Sequence, residues 1–228
     1  MLRSLLLLCA ICITFATMAQ KPYLVRIVGS YDSTAVTELY NSTPIGIRFV
    51  YSDSSILQTT GYLQGNTRWN KLNVSSSNGS IQNGVLQFNR AQLVKDNYRI
   101  TLTVNTEENH QFQTTLQFPQ VIGIRFNLYT DSIKRNIHYY LNVEGKFSSG
   151  KVYPLDTSVL RFAASDGQIL GQDLLLPLQD TVKTVTIEAW YKPNSKYYIR
   201  AQVPVKQAPD NDSLLTNPND LFKKKRRN

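Results

Sequence analysis

From residue 22 to residue 207 the chain is a succession of short apolar runs cut by turn signals, and nowhere does a helical apolar spacing outlast a single turn. That pattern leaves strands joined by tight turns as the building material. It is clearest in 143–176, where Ser148-Ser149-Gly150, Ser165-Asp166-Gly167 and Leu170-Gly171-Gln172 separate the runs, and a shorter version occupies 61–88. In Tyr98-Arg99-Ile100-Thr101-Leu102-Thr103-Val104 every second residue is apolar, as in a sheet with one wet face. Ile45, Ile47, Phe49 and Tyr51 likewise share one face. Further strand signals cover 23–28, 34–40, 68–74 around Trp69, 85–88 and 111–118, and Asn78-Gly79 predicts a hairpin into Ile81. The stretch 89–96 is either one helical turn or a loop crossing between sheets. The fold class is all-β.

Two parts of the chain read as versions of one unit. Ile45-Gly46-Ile47-Arg48-Phe49 recurs as Ile122-Gly123-Ile124-Arg125-Phe126, and each copy is followed by a turn, Tyr51-Ser52-Asp53-Ser54 or Tyr129-Thr130-Asp131-Ser132. The segment from Val74 to Ile81 then matches that from Phe162 to Ile169, both carrying Ser-Asn/Asp-Gly. Strand 98–104 pairs off with 184–190, and 111–118 with 198–205. The spacing drifts from 77 (Ile45 to Ile122) to 88 (Gly79 to Gly167), which places about eleven extra residues in unit two, most easily in the hairpin 146–154. Pro119 cannot donate to a ladder and marks the boundary. The expected organisation is a signal peptide 1–19, a β-sandwich 20–119, a second 120–207 and a disordered tail 208–228.

Each unit has the size and turn frequency of an immunoglobulin-like sandwich. Within unit two, Glu144-Gly145-Lys146-Phe147-Ser148-Ser149-Gly150, then Val159-Leu160-Arg161-Phe162, then Ser165-Asp166-Gly167-Gln168-Ile169-Leu170-Gly171 resembles the bacterial Ig-like modules of invasin-type surface proteins. Thr184-Val185-Thr186-Ile187-Glu188-Ala189 stands where those modules carry their last strand. Phe147 replaces a usual tyrosine, and unit one has only a reduced hairpin around 62–65. The resemblance implies two tandem Ig-like β-sandwich domains and a spacer, adhesive or partner-binding role outside the cytoplasm.

The N-terminus reads as an export signal, with Arg3, an apolar run 5–15 and Thr17-Met18-Ala19 at the cleavage spacing. Both cysteines, Cys9 and Cys12, fall inside it, so the mature chain has no disulfide and no thiolate metal site and relies on its cores. A bacterial periplasmic or cell-surface location follows. Of the formal +9 charge, one unit leaves with Arg3 and five sit in Lys223, Lys224, Lys225, Arg226 and Arg227, leaving +3 on the remainder. Basicity gathered at one end argues against a nucleic-acid-binding surface. It offers instead contact with an anionic membrane or lipopolysaccharide.

No catalytic constellation is legible. His110 falls in a turn and His138 on a strand face opposite Ile137 and Tyr139, neither next to a nucleophile motif. Asp210-Asn211-Asp212 lacks the glycine and distal glutamate of a calcium loop. No cofactor is expected. The adjacent pairs Tyr139-Tyr140, Trp190-Tyr191 and Tyr197-Tyr198 must each turn one ring outward on a strand. Tyr140, Tyr191 and Tyr198, with the basic cluster 223–227, are therefore the binding candidates. The expected function is a non-catalytic binding or spacer protein of the cell envelope, with an envelope protein or surface polysaccharide as partner. The alternative is a carbohydrate-binding accessory protein that uses exposed tyrosines.

Overall fold

The computed structural model describes residues 21–208, so the expected signal peptide 1–19, the Asp210-Asn211-Asp212 stretch and the basic cluster 223–227 lie outside the described residues. Contacts divide the chain between Gln120 and Val121, one residue beyond the expected boundary.

Unit one contains β1 (Leu24–Tyr31), β2 (Ser42–Tyr51), β3 (Ile56–Gln58), β4 (Asn73–Ser76), β5 (Ser80–Gln82), β6 (Val85–Gln87), helix α1 (Arg90–Lys95), β7 (Arg99–Asn105) and β8 (Gln111–Gln117). One sheet has the order β1-β2-β6-β5 with β3 also on β2, and the other β4-β7-β8. Apart from the added β3, this is the two-sheet strand order of a constant-type immunoglobulin sandwich. The alternation in β7 buries Ile100, Leu102 and Val104 against Ile45, Ile47 and Phe49 of β2. Phe118, 1% exposed, stacks on Tyr31 with ring centres 4.7 Å apart. Each such buried side chain contributes roughly 1.5–3 kcal/mol.

Unit two contains β9 (Val121–Phe126), β10 (Tyr139–Tyr140), β11 (Val143–Phe147), β12 (Val152–Pro154), β13 (Leu160–Ala164), β14 (Gln168–Leu170), β15 (Asp173–Leu175), β16 (Thr184–Tyr191) and β17 (Tyr198–Pro204). Its sheets are β9-β11-β12, β10-β15-β14 and β13-β16-β17. Here the strand in the place of β2 is broken at Leu141-Asn142. The buried Asn142 side chain donates to the Asn127 carbonyl (3.1 Å), and the Asn127 N–H donates to the Asn142 carbonyl (2.9 Å). The break leaves two apolar clusters, and Phe126 and Phe162 pack against both.

Backbone hydrogen bonds put the two units in register. Ile45 N–H donates to Gly84 O and Leu141 N–H to Gln172 O, both at 2.8 Å. Tyr51 N–H donates to Ser55 O and Phe147 N–H to Lys151 O; Thr59 N–H donates to Ile47 O and Leu155 N–H to Val143 O. Farther on, Ser77 and Thr101 exchange two bonds, Ser77 N–H to Thr101 O and Thr101 N–H to Ser77 Oγ. Ser165 and Thr186 do the same with distances that agree to the tenth of an ångström, 2.9 and 3.0 Å.

This register overturns part of the sequence alignment. Ile45-Gly46-Ile47-Arg48-Phe49 lies in β2, the second strand, whereas its look-alike lies in β9, the first strand of unit two. Ile45 is fully buried and Ile122 is 44% exposed, so the pentapeptides are not equivalent. The hairpin that matches 147–151 is 51–55, not 62–65, and it has the same length, so no extra residues sit there. Asn78-Gly79 does not make a hairpin either. It carries the chain from β4 to β5, which belong to different sheets, because the buried Asn78 amide bonds the backbone of Asn89 (Nδ2 to O 3.0 Å, N–H to Oδ1 2.9 Å). The hairpin is the next turn, Asn83-Gly84, between β5 and β6. The stretch 34–40 is no strand: Asp32 caps a 3-10 turn at Ser33–Ala35 by accepting the Thr34 N–H. Another 3-10 turn, Trp69–Lys71, precedes β4. The undecided stretch 89–96 is helix α1, with Asn89 accepting the Gln92 N–H.

Candidate functional face

The outward side of sheet β13-β16-β17 gathers the chemistry that unit two exposes. In β16, Val185, Ile187, Ala189 and Tyr191 are buried, so Thr184, Thr186, Glu188 and Trp190 face out. The pairing aligns Arg161, Trp190 and Tyr198 in one cross-strand row and Ala163, Glu188 and Arg200 in the next. The Arg161 guanidinium lies 4.4 Å from the Trp190 ring centre. Tyr198 packs beside Trp190 with centres 5.1 Å apart and planes at 36°. The Tyr198 hydroxyl donates to Glu188 Oε1, and this bond to an anion holds the phenol pKa above its ordinary value.

The same two rows exist in unit one with different contents. Asn73, Asn105 and Gln111 align in the first, and Ser75, Thr103 and Gln113 in the second. The scaffold therefore accepts neutral polar residues at these positions. An arginine, a tryptophan, a tyrosine and a Glu–Arg pair are not what the sheet needs in order to form.

The tyrosine candidates divide. Tyr140 and Tyr198 face out, 43% and 41% exposed. Tyr191 does not: at 5% exposure it closes the apolar cluster of Val143, Leu160 and Ala189. In that adjacent pair Trp190 is the outward ring. The signal was present, since the apolar alternation Val185, Ile187, Ala189 continues into Tyr191 and puts Trp190 on the face of Thr184, Thr186 and Glu188. Tyr140 stacks on Tyr129, itself 71% exposed, at 6.0 Å. Next to it, His138 Nδ1 sits 3.2 Å from Asp173 Oδ2.

The other features of the molecule read as structure. Trp69 packs against the unit-one core, donates Nε1–H to Thr60 O (3.0 Å) and covers Gly84. A shallow hollow of about 590 Å³ lies beside α1, but the one cation lining it, Arg90, gives its N–H groups to Asn41 Oδ1 and the carbonyls of Thr37 and Tyr40. His110 is exposed in the β7–β8 turn. Among the described residues Glu38 is the only buried carboxylate, and no group of three acidic, histidine or cysteine side chains is placed to hold a metal ion. Nor, among these residues, is any helix long and apolar enough to cross a membrane.

No family model and no curated protein matches the chain. Among solved structures it is similar to the N-terminal part of the bacterial S-layer protein SbsC, at 11% identity over 82% of this chain and 45% of that one, with a TM-score of 0.32. The chain thus spans less than half of that neighbour, and a likeness of this size carries neither the fold nor the function.

Proposed function

We propose that the chain is an exported, non-catalytic binding protein of the bacterial envelope, built from two copies of one β-sandwich. Unit one acts as spacer and unit two presents the binding face. The observation that supports this reading is the contrast at matched sheet positions: Asn73, Asn105 and Gln111 in unit one, Arg161, Trp190 and Tyr198 in unit two. A catalytic reading would need a concave site in which titratable groups converge.

The test is fractionation of cells that produce the tagged full chain, with protease added to intact cells, for wild type and Trp190→Asn. The proposal expects wild type to sediment with the envelope and the variant to be released in soluble, still exported form. Retention of both in the cytoplasm, or identical envelope retention, contradicts it. A carbohydrate-binding accessory role is the second reading, supported by the exposed Tyr129–Tyr140 stack and by Tyr198.

A further inference from the structure

We propose that the outward face of β13-β16-β17 binds an acidic polysaccharide, with Arg161 and Arg200 taking its carboxylates and the exposed Tyr198 ring, backed by Trp190, taking the C–H face of a sugar ring. The inference rests on the reading of the chain as an exported binding protein and names the ligand class of its face.

Three observations carry it. The first is charge. Arg161 touches the Trp190 ring and Arg200 stands beside Glu188, whose Oε1 already accepts the Tyr198 hydroxyl. Neither guanidinium donates a hydrogen bond to a protein acceptor among the described residues, so the fork that binds a carboxylate in two-point fashion remains available. The second is shape. Arg161, Trp190 and Tyr198 form one row across three strands with Arg200 in the next, so the face can run along a polymer that makes many weak contacts. The third is polarity. Beyond the ring pair the same face presents Thr184, Thr186 and Gln202, not the aliphatic centre on which a stable protein interface is built. Hydroxyls and amides around two rings and two cations match a chain of hydroxylated, carboxylated sugars.

Unit one supplies the controls. At the positions of Arg161, Trp190 and Arg200 it carries Asn73, Asn105 and Gln113, so Arg161→Asn, Trp190→Asn and Arg200→Gln are residues this scaffold already holds in folded form. The experiment titrates the full chain with polygalacturonate, dextran and an oligodeoxythymidine, following affinity at several salt concentrations. Far-UV circular dichroism and melting confirm that each variant folds. The basic cluster is present in every variant, so differences between them report the face alone. Wild type is expected to bind polygalacturonate and not dextran. Trp190→Asn should raise Kd about tenfold, the scale of one lost ring contact in a cation–π arrangement. Arg161→Asn combined with Arg200→Gln should raise it by a similar factor and flatten the salt dependence, since two charge contacts disappear. Equal binding of dextran, tighter binding of the oligonucleotide, or variants indistinguishable from wild type would overturn the proposal. Failure of export in the fractionation test would leave this result untouched, and the reverse also holds.

Discussion

Gly79 and Gly61 have nearly the same backbone, φ +84° and +85°, but different surroundings. A Cβ on Gly61 meets nothing within 4 Å, whereas one on Gly79 would lie 1.8 Å from the Gln87 carbonyl oxygen and 2.8 Å from Phe88 Cα. Substituting either by alanine forces an L-residue into the left-handed region at a cost of about 1–2 kcal/mol. Gly61→Ala should show that cost alone. Gly79→Ala must in addition push β6 away from the β4–β5 crossing, and overpacking of that kind adds about 1–3 kcal/mol. The difference between the variants is therefore about 1–3 kcal/mol, or on the order of 4–24 °C in the melting of a domain this size. Trp69 packs against the unit-one core and reports its unfolding once Trp190 has been replaced by phenylalanine. Thermal and urea unfolding in that background should place Gly79→Ala well below Gly61→Ala. Equal midpoints would refute the crossing of the chain between sheets at Gly79.

Phe118→Ala removes a fully buried ring stacked on Tyr31 and touching Phe88 at 5.0 Å; about 3–5 kcal/mol should leave unit one while the transition of unit two, read by Trp190, keeps its midpoint. Ser77→Ala and Ser165→Ala each remove the acceptor of a strand N–H, from Thr101 and Thr186, and should lower the midpoint of their own unit by about 1 kcal/mol each in chemical denaturation. Glu144 is held below the usual carboxylate range chiefly by its hydrogen bond from Arg125. A depressed pKa stabilises the folded state above the unfolded carboxylate value and loses that contribution as pH falls through the folded value. Arg125→Gln should therefore reduce unit-two stability at neutral pH by under about 1 kcal/mol, as expected of a pair exposed on the arginine side, and should flatten the acid side of its stability profile.

Which parts of the fold were legible follows from what each signal encodes. Alternation in 98–104 and 184–190 marked β7 and β16, because a strand with one face in the core must alternate, and the phase of the second run also contained the outward position of Trp190. The Ile-Gly-Ile-Arg-Phe match misled because any strand facing a core produces such a pattern. Only the pairing of Ile47 with Gly29, and of Ile124 with Gly145, shows that one copy is the second strand of its unit and the other the first. The capped turn at 33–35 was hidden by the β-favouring residues after it, and Asp32 was its one local cue. Asn78-Gly79 has hairpin chemistry, and its use as a sheet-to-sheet crossing depends on Asn89, eleven residues away. The candidate face was invisible for the same kind of reason. Arg161, Glu188 and Tyr198 are distant in sequence and become neighbours only when β13 and β17 flank β16.

The central claim is that unit two carries the binding face and unit one does not. Backbone amide and tryptophan side-chain NMR shifts of the full chain, followed during addition of polygalacturonate, test it at every residue at once. The account predicts perturbations centred on Arg161, Glu188, Trp190, Tyr198 and Arg200, with Asn73, Asn105 and Gln111 unmoved. Perturbations centred on unit one, or spread equally over the matching rows of both units, would contradict it.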